Sequence, residues 1–230
     1  MMRIQAESSR RGITRLCHFT QSRNLAHIFG DNNGILSRHT LVAHDMPHNP
    51  TDPNRFDGCD NLICCSIEYP NTYYFSTVRS RDLLFKDWVV LLLKPDYLWT
   101  AGTKFCPCNA AKACGAHIKD GYDTFLTLFS NVTPGSGFNR SSTHLACAPT
   151  DIQAEVLIVD PIPLDAITAI AVESEEQAKR ELFTAALQGI SIDKPFRIAP
   201  DFYQRATISR LIQSGTRLQE IPYVTGGHNG

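Results

Sequence analysis

The chain has 230 residues, of which 43% are hydrophobic, so it can form a globular domain with a sizeable core and is neither disordered nor fibrous. Twenty-two Lys and Arg residues oppose 23 Asp and Glu residues, for a formal net charge of -1. Proteins that coat long DNA through charge are usually basic. Any contact with nucleic acid is therefore expected to depend on a local patch.

No segment is long and apolar enough for a signal peptide or a membrane span, since the longest apolar run, WVVLLL at 88–93, has the length of a strand. Eight cysteines without an export signal indicate a reducing compartment with free thiols. We therefore expect a cytoplasmic protein without a disulfide framework.

Short runs of aliphatic and β-branched residues predict strands. In chain order they are ITRLCHF (13–19), LICCSI (62–67), WVVLLL (88–93), EVLIV (155–159) and ITAIAV (167–172). Apolar spacing predicts helices at 22–29 with Ser22 as N-cap, at 122–129, at 175–188 and at 200–213. Strands and helices do not alternate regularly, which favours a mixed α/β or α+β fold in one domain, 1–230.

The helix at 175–188 has the clearest signals. Ser174 and Gln177 form a capping-box pattern, and Gly189 follows where a C-terminal cap belongs. Leu182 and Phe183 are expected to supply its apolar stripe.

Two stretches are predicted to be loops: 46–60 because it is rich in Pro, Asp and Asn, and 131–154 because it has almost no periodicity. Loops as long as 131–154 in a compact domain are usually functional or disordered. This one leads directly into the strand that begins with Glu155, which makes that strand end a candidate site.

Glu155 is the first candidate for chemistry. Gln153 precedes it by two positions, and residues two apart in a strand share a face, so both side chains could serve one site. A carboxylate there could stabilise positive charge on a sugar or bind a ribose hydroxyl. An exposed glutamate at a strand end is the simpler alternative.

His18 and Thr20 also share a face of a predicted strand and offer an imidazole and a hydroxyl together, although a lone histidine at a strand end is more often structural.

Arg55 lies in the loop 46–60. A guanidinium can grip a pyrophosphate with two hydrogen bonds, but a surface arginine paired with Asp52 or Asp57 is the alternative.

The stretch CPCNAAKACGAH (106–117) brings three cysteines and a histidine close together in sequence. Thiolate and imidazole are usual zinc ligands, but the spacing of Cys106, Cys108, Cys114 and His117 is not that of a finger or ribbon. Buried thiols are the favoured interpretation, and no metal is expected. The chain also lacks the glycine patterns of a Rossmann unit or a P-loop.

Taken in order, four segments resemble the DarT-type DNA ADP-ribosyltransferases, the toxins of bacterial toxin–antitoxin pairs. They are HFTQSRNLAHIFGDNNGILS, then Arg55 ahead of EYPNTYYF, then CNAA, and finally QAEVLIVDPIPLDAITAIAV with the Ala-rich helix after it. The resemblance spans most of residues 13–187.

The resemblance implies an ADP-ribosyltransferase-like α+β fold, with a split β-sheet whose cleft holds NAD+. It implies that Glu155 is the catalytic glutamate and that Arg55 is catalytically essential and binds NAD+. It places His18, Phe19 and Thr20 at the nicotinamide ribose and amide, and His27 and Ile35 on the adenosine side.

The implied reaction attaches ADP-ribose to guanine or thymine in single-stranded DNA, and a macrodomain antitoxin is the implied partner. The loop 131–154 would recognise the substrate, and the candidate DNA contacts are Gln153, Tyr73, Tyr74, Phe138 and Arg140. Two alternatives stay open: transfer to protein or RNA, and a non-catalytic, zinc-stabilised nucleic-acid-binding module.

Overall fold

A computed structural model of the chain describes residues 1–31, 33–46, 48, 55–81 and 85–224. The strands are β1 (Leu16–Gln21), β2 (Leu62–Ile67), β3 (Trp88–Leu93), β4 (Lys104–Cys106), β5 (Glu155–Val159), β6 (Ile167–Val172), β7 (Phe196–Ile198) and β8 (Ile221–Pro222). The α-helices are α1 (Met2–Arg11), α2 (Arg38–Ala43), α3 (Thr72–Arg81), α4 (Gly121–Thr127), α5 (Glu175–Leu187) and α6 (Arg205–Gln213).

The strands form one eight-stranded sheet in the order β4-β5-β2-β1-β3-β6-β7-β8. Neighbouring strands are antiparallel except for β6 and β7, which are parallel. The mixed sheet with flanking helices confirms the predicted α+β class.

The sheet is split between the neighbouring strands β1 and β2. β1 pairs with β3 along its whole length, from Leu16 opposite Leu93 to Gln21 opposite Trp88. Its pairing with β2 covers Leu16 and Cys17. From His18 onward the two strands diverge, so the polar end of β1 borders a gap in the sheet.

Apolar layers cover both faces of the sheet. All six residues of β3 are buried. The side chains of Val89, Leu91 and Leu93 join one hydrophobic cluster, and those of Trp88, Val90 and Leu92 join the other. Burial on both faces explains why this strand reads as an unbroken apolar run in the sequence.

The structure confirms the capping of α5 and corrects its apolar stripe. Ser174 Oγ accepts a hydrogen bond from Gln177 N at 3.2 Å, and Gly189 has φ 70°. Phe183 is 66% exposed, so its predicted burial is wrong. Leu182 and the buried Ala178 and Ala185 pack on the core instead, because residues 178, 182 and 185 share one helix face and residue 183 is rotated away from it.

The prediction for 13–29 is corrected in two places. The first strand begins at Leu16 rather than Ile13 and runs on to Gln21. The predicted helix at 22–29 is a 3-10 turn, Ser22–Asn24, followed by a π-helix, Ala26–Gly30. Ser22 is not its N-cap, since its hydroxyl donates to Asp87 O at 3.1 Å.

The remaining predicted helices are close to the observed ones. The segment 122–129 contains most of α4, with Phe129 buried just beyond it. The segment 200–213 is a 3-10 turn, Pro200–Tyr203, followed by α6. None of the helices in the described ranges has the length and apolar character needed to cross a membrane.

Candidate active site

A cavity of about 410 Å³ opens where β1 and β2 diverge. Its wall includes residues from β1, the π-helix, α2, β2, α3, the loop after β4 and the start of β5. Eight candidate residues from the sequence line it: His18, Phe19, Thr20, His27, Ile35, Arg55, Tyr74 and Glu155. The split in the sheet thus brings residues that are distant in sequence into one site.

Four other candidates lie outside this wall: Gln153, Tyr73, Phe138 and Arg140. Gln153 is not in the strand with Glu155. It lies in a turn, where its backbone N–H donates to Asp151 Oδ1 at 2.8 Å, and β5 begins at Glu155. The expectation that Gln153 and Glu155 share a strand face is therefore wrong.

His18 reaches across the gap in the sheet. Its Nδ1 lies 2.9 Å from Cys64 O in β2. A carbonyl only accepts, so Nδ1 carries the proton of the neutral ring and Nε2 is an acceptor. Burial and the nearby Arg55 guanidinium lower the pKa of His18, which keeps the ring neutral.

Phe19 and Thr20 follow His18 in β1 and point to opposite faces of the strand. Thr20 is buried, and its hydroxyl oxygen accepts a hydrogen bond from Asn24 Nδ2 at 2.8 Å. The ring of Phe19 stacks on Phe75 with centroids 4.8 Å apart. Alternation along β1 places the side chains of His18 and Thr20 on the face opposite to that of Phe19.

Arg55 is held firmly by its own loop. Its Nε donates to Asp57 Oδ1 at 3.0 Å, Nη1 donates to Leu62 O at 3.2 Å, and Nη2 donates to Cys59 O. Its side chain is 13% exposed, so the alternative of a surface arginine is wrong even though the pairing with Asp57 exists. Asp52, the other suggested partner, lies outside the described residues.

Glu155 begins β5, and its carboxylate is fixed from the loop after β4. Oε1 accepts a hydrogen bond from Ala110 N at 2.9 Å. Burial, followed by the negative charge of Asp57, raises the pKa of Glu155 to about 7, against the opposing effects of the Ala110 hydrogen bond, the Cys64 thiol and Arg55. The carboxyl group is half-buried and its pKa lies near neutrality, so the alternative of an exposed glutamate at the strand end is wrong.

Sequence reasoning missed the group that orients Glu155. The Asn109 side chain accepts a hydrogen bond from Ala111 N at 3.0 Å, a turn that presents the intervening Ala110 N–H to the carboxylate. These residues belong to CNAA, one of the segments that carried the resemblance. An Asn at the start of a turn was the available signal.

The side chains of the cysteine-rich stretch 106–117 are not arranged as a metal-binding group. Cys106 and Cys108 are buried, Cys114 is exposed, and all three are free thiols. Across the part of the chain that the structure describes, no group of three or more His, Cys, Asp or Glu side chains is arranged to hold a metal ion. Burial raises the pKa of Cys106 to about 12, which keeps this thiol protonated.

The split in the sheet thus places Arg55, the neutral His18 and the oriented Glu155 around one cavity. A sequence model of the family described as "ssDNA thymidine ADP-ribosyltransferase, DarT" matches residues 17–204. The chain belongs to the DarT family. No curated protein sequence matches it.

Solved structures of the same family share the fold. Thermosipho africanus DarTG in complex with ADP-ribose aligns with a TM-score of 0.60 at 14% identity, over 83% of this chain and 51% of that chain. This chain thus spans about half the length of the DarTG chain.

Thermus sp. 2.9 DarT in complex with NAD+ aligns with a TM-score of 0.56 at 14% identity, over 83% of this chain and 97% of that one. The same protein in complex with ADP-ribosylated ssDNA gives a TM-score of 0.54 at 13% identity, with 84% and 97% covered. Family membership confirms the resemblance seen in the sequence: the chain belongs to a family of ADP-ribosyltransferases of single-stranded DNA.

Proposed function

We propose that this chain transfers ADP-ribose from NAD+ to a thymine of single-stranded DNA, using Glu155 and Arg55. The observation that carries the proposal is that both side chains line one cavity beside His18 at the split in the sheet. The family's description as a thymidine ADP-ribosyltransferase favours thymine over guanine.

NAD+ binding is assigned to the β1 side of the cavity. The Nε2 acceptor of His18 and the hydroxyl of Thr20 suit the hydroxyls of the nicotinamide ribose and the carboxamide N–H groups. Phe19 lines the same region. His27, whose Nδ1 donates to Asp31 Oδ2 at 3.4 Å, and Ile35 are assigned to the adenosine side.

Arg55 is assigned to the diphosphate of NAD+ and to the geometry of the site. Its hydrogen bonds to Asp57, Cys59 O and Leu62 O fix the guanidinium plane before the ligand arrives. A charge that is already positioned loses little side-chain entropy when it binds a phosphate. Arg55 is thus expected to orient NAD+ as well as attract it.

Glu155 is assigned to the chemical step. The bond between ribose C1′ and nicotinamide breaks with positive charge developing on the sugar, and nicotinamide leaves with the bonding electrons. A preorganised carboxylate near the ribose stabilises that charge by typically a few kcal/mol.

Thymine carries a proton on N3, its ring nitrogen available for attack. When N3 bonds to C1′, that proton must leave, and a carboxylate with a pKa of about 7 is a suitable base at neutral pH.

Single-stranded DNA suits this cavity because a base inside a duplex cannot reach it. Tyr74 lines the cavity, and its neighbour Tyr73 packs edge-on against Phe138 of the loop 131–154, with centroids 5.4 Å apart. Aromatic side chains stack on unpaired bases in proteins that bind single-stranded nucleic acid. Tyr73, Tyr74 and Phe138 are therefore assigned to the DNA.

Arg140 and Gln153 are weaker candidates for DNA contact. The guanidinium of Arg140 donates to Leu145 O at 2.8 Å and to Ala148 O at 3.0 Å, bonds that hold the loop 131–154 together. A role of Arg140 at a DNA phosphate would be added to this one. Gln153 precedes Glu155 at the end of the same loop.

We further propose that the chain is a toxin acting in the cytoplasm and that a macrodomain partner reverses its modification. The family membership and the DarTG relative support this assignment. Expression of the chain should stop growth of a bacterial host, and co-expression of an ADP-ribose-removing macrodomain should restore it. Growth unaffected by active enzyme would contradict the toxin role.

The experiment for the acceptor uses mass spectrometry of short single-stranded oligonucleotides, each with one test base in a fixed context, after incubation with enzyme and NAD+. The expected result is one ADP-ribose added only where the test base is thymine. Addition at guanine would overturn the choice of base. Label from NAD+ found only on RNA or protein would overturn DNA as the acceptor.

A further inference from the structure

Asp57 is a buried carboxylate in the wall of the cavity, 8% exposed. Its Oδ1 accepts hydrogen bonds from Arg55 Nε at 3.0 Å and Cys59 N at 3.1 Å, and its Oδ2 faces the Cys64 thiol at 3.8 Å. A buried carboxylate is unfavourable unless it is paired. Asp57 has no part in the proposed binding of NAD+ or DNA or in the proposed chemical step.

The cavity contains two carboxylates that could pair with Arg55. A guanidinium matches any carboxylate within reach, so Arg55 and Glu155 attract each other across the same cavity. An ion pair between them would cover the oxygens that Glu155 must offer to the substrate. In the structure each has another partner, since Asp57 binds Arg55 and Ala110 N–H binds Glu155.

The backbone of Asp57 is also fixed by close packing. Gly115 has φ 82°, and a Cβ built on it would lie 2.5 Å from Asp57 O. A side chain at residue 115 would displace the loop that carries Asp57 and Arg55. The loop position, the buried carboxylate and the orientation of Arg55 are therefore coupled.

We propose that Asp57 is a positioning residue that holds Arg55 away from Glu155, so that the Glu155 carboxylate stays open to the ribose and the base. This inference rests on the proposed roles of Arg55 and Glu155. Asp57 itself touches neither NAD+ nor DNA in this scheme, and it acts through Arg55.

The proposal has an electrostatic signature that a purely structural role lacks. Burial is the largest cause that raises the pKa of Glu155, and the charge of Asp57 adds to it while Arg55 opposes it. Loss of the Asp57 charge and movement of Arg55 toward Glu155 would both lower that pKa. Among the residues that the structure describes, the charged or titratable groups that interact electrostatically with Glu155 are Arg55, Asp57, Cys64, Cys65, Cys106 and Cys108.

The test compares Asp57→Asn with Asp60→Asn, which removes the same charge from an exposed position of the same loop. Turnover, KM for NAD+ and the acid limb of the pH–rate profile are measured with a thymine oligonucleotide. For Asp57→Asn we expect turnover to fall about tenfold or more. We also expect the acid midpoint, the pH at which the rate on the acid limb is half-maximal, to drop by about one pH unit or more. Asp60→Asn should match the wild type in all three.

Asp57→Glu, which keeps the charge, should retain an acid midpoint close to the wild-type value even where its turnover is reduced. The double variant Asp57→Asn/Arg55→Gln removes both charges of the Asp57–Arg55 pair, so neither partner is left as an unpaired ion, and it keeps the test available if Asp57→Asn does not fold. Its affinity for NAD+ should equal that of Arg55→Gln within about twofold, because Asp57 acts through Arg55.

An unmoved acid midpoint in Asp57→Asn, or an additional loss of NAD+ affinity in the double variant, would overturn the proposal. Absence of transfer by the wild-type enzyme, or full activity of Glu155→Gln, would instead overturn the proposed function. The two failures are thereby distinguished.

Discussion

The backbone N–H of Ala110 donates a hydrogen bond to Glu155 Oε1 at 2.9 Å, which joins the loop after β4 to the first residue of β5. Cys106 and Glu155 are paired in the two strands, so the loop that starts just after Cys106 returns directly over the carboxylate. The glutamate is thus oriented before any ligand binds, as preorganised electrostatic catalysis requires.

Replacing Glu155 by Gln should abolish transfer while NAD+ binding persists. The amide keeps the size of the side chain but carries no negative charge for the developing positive charge on the ribose. We expect turnover to fall by about a thousandfold, measured with labelled NAD+ and a thymine oligonucleotide, with less than about a threefold change in NAD+ affinity. The matched control is Glu176→Gln on the exposed surface of α5, and near-normal turnover of Glu155→Gln would refute the assignment.

The same substitution should stabilise the protein above neutral pH. The pKa of Glu155 is raised from 4.5 to about 7, so the unfolded chain loses this proton at lower pH than the folded chain does. The free energy of unfolding therefore falls as the pH rises from about 4.5 to about 7, and Gln removes that penalty.

We expect Glu155→Gln to be more stable than the wild type at pH 8, by on the order of 1–3 kcal/mol, and equally stable near pH 4. Urea denaturation at both pH values measures the difference. Equal stability of the two proteins at pH 8 would show that the carboxylate is not desolvated.

Replacing Arg55 by Lys should impair the enzyme although the charge is kept. One ammonium group cannot reproduce the planar set of donors that binds Asp57 Oδ1, Cys59 O and Leu62 O. We expect KM for NAD+ to rise and turnover to fall, together by about a hundredfold in kcat/KM. Arg10→Lys, at a side chain that is 66% exposed, is the control. Wild-type kcat/KM in Arg55→Lys would mean that charge alone is needed.

Replacing Phe138 by Ala should weaken the use of DNA without affecting NAD+. Stacking of a base on an aromatic ring contributes about 1–3 kcal/mol, so KM for the oligonucleotide should rise about fivefold to a hundredfold. NAD+ affinity should stay unchanged because Phe138 lies outside the cavity wall. Val132→Ala, at a 77% exposed position of the same loop, controls for loss of an apolar side chain. An equal effect of both variants would argue against stacking.

Strands could be predicted best where burial on both faces leaves an unbroken apolar run. The predicted bounds of β2, β3, β5 and β6 agree with the structure. Helix α3 was missed because its sequence, TYYFSTVRSR, is rich in aromatic and β-branched residues, and its fold is set by tertiary packing of Phe75 and Val78. Strand β4 is three residues long and depends on its pairing with β5.

The candidate site could be predicted only in part. Local sequence singled out Glu155, Arg55 and His18, but each had a simpler structural explanation when taken alone. Their convergence depends on the divergence of β1 from β2, a property of strand pairing that periodicity does not encode. Partners that act through the backbone, such as Ala110 N–H, leave almost no signal in the sequence.

The most direct test of the account is a crystal structure of Glu155→Gln with NAD+ bound. We predict that NAD+ lies in the cavity at the split sheet, with its nicotinamide ribose between His18 and residue 155 and its diphosphate on the side of Arg55. NAD+ bound elsewhere, or a nicotinamide ribose out of reach of residue 155, would contradict the central claim that this cleft carries out the transfer.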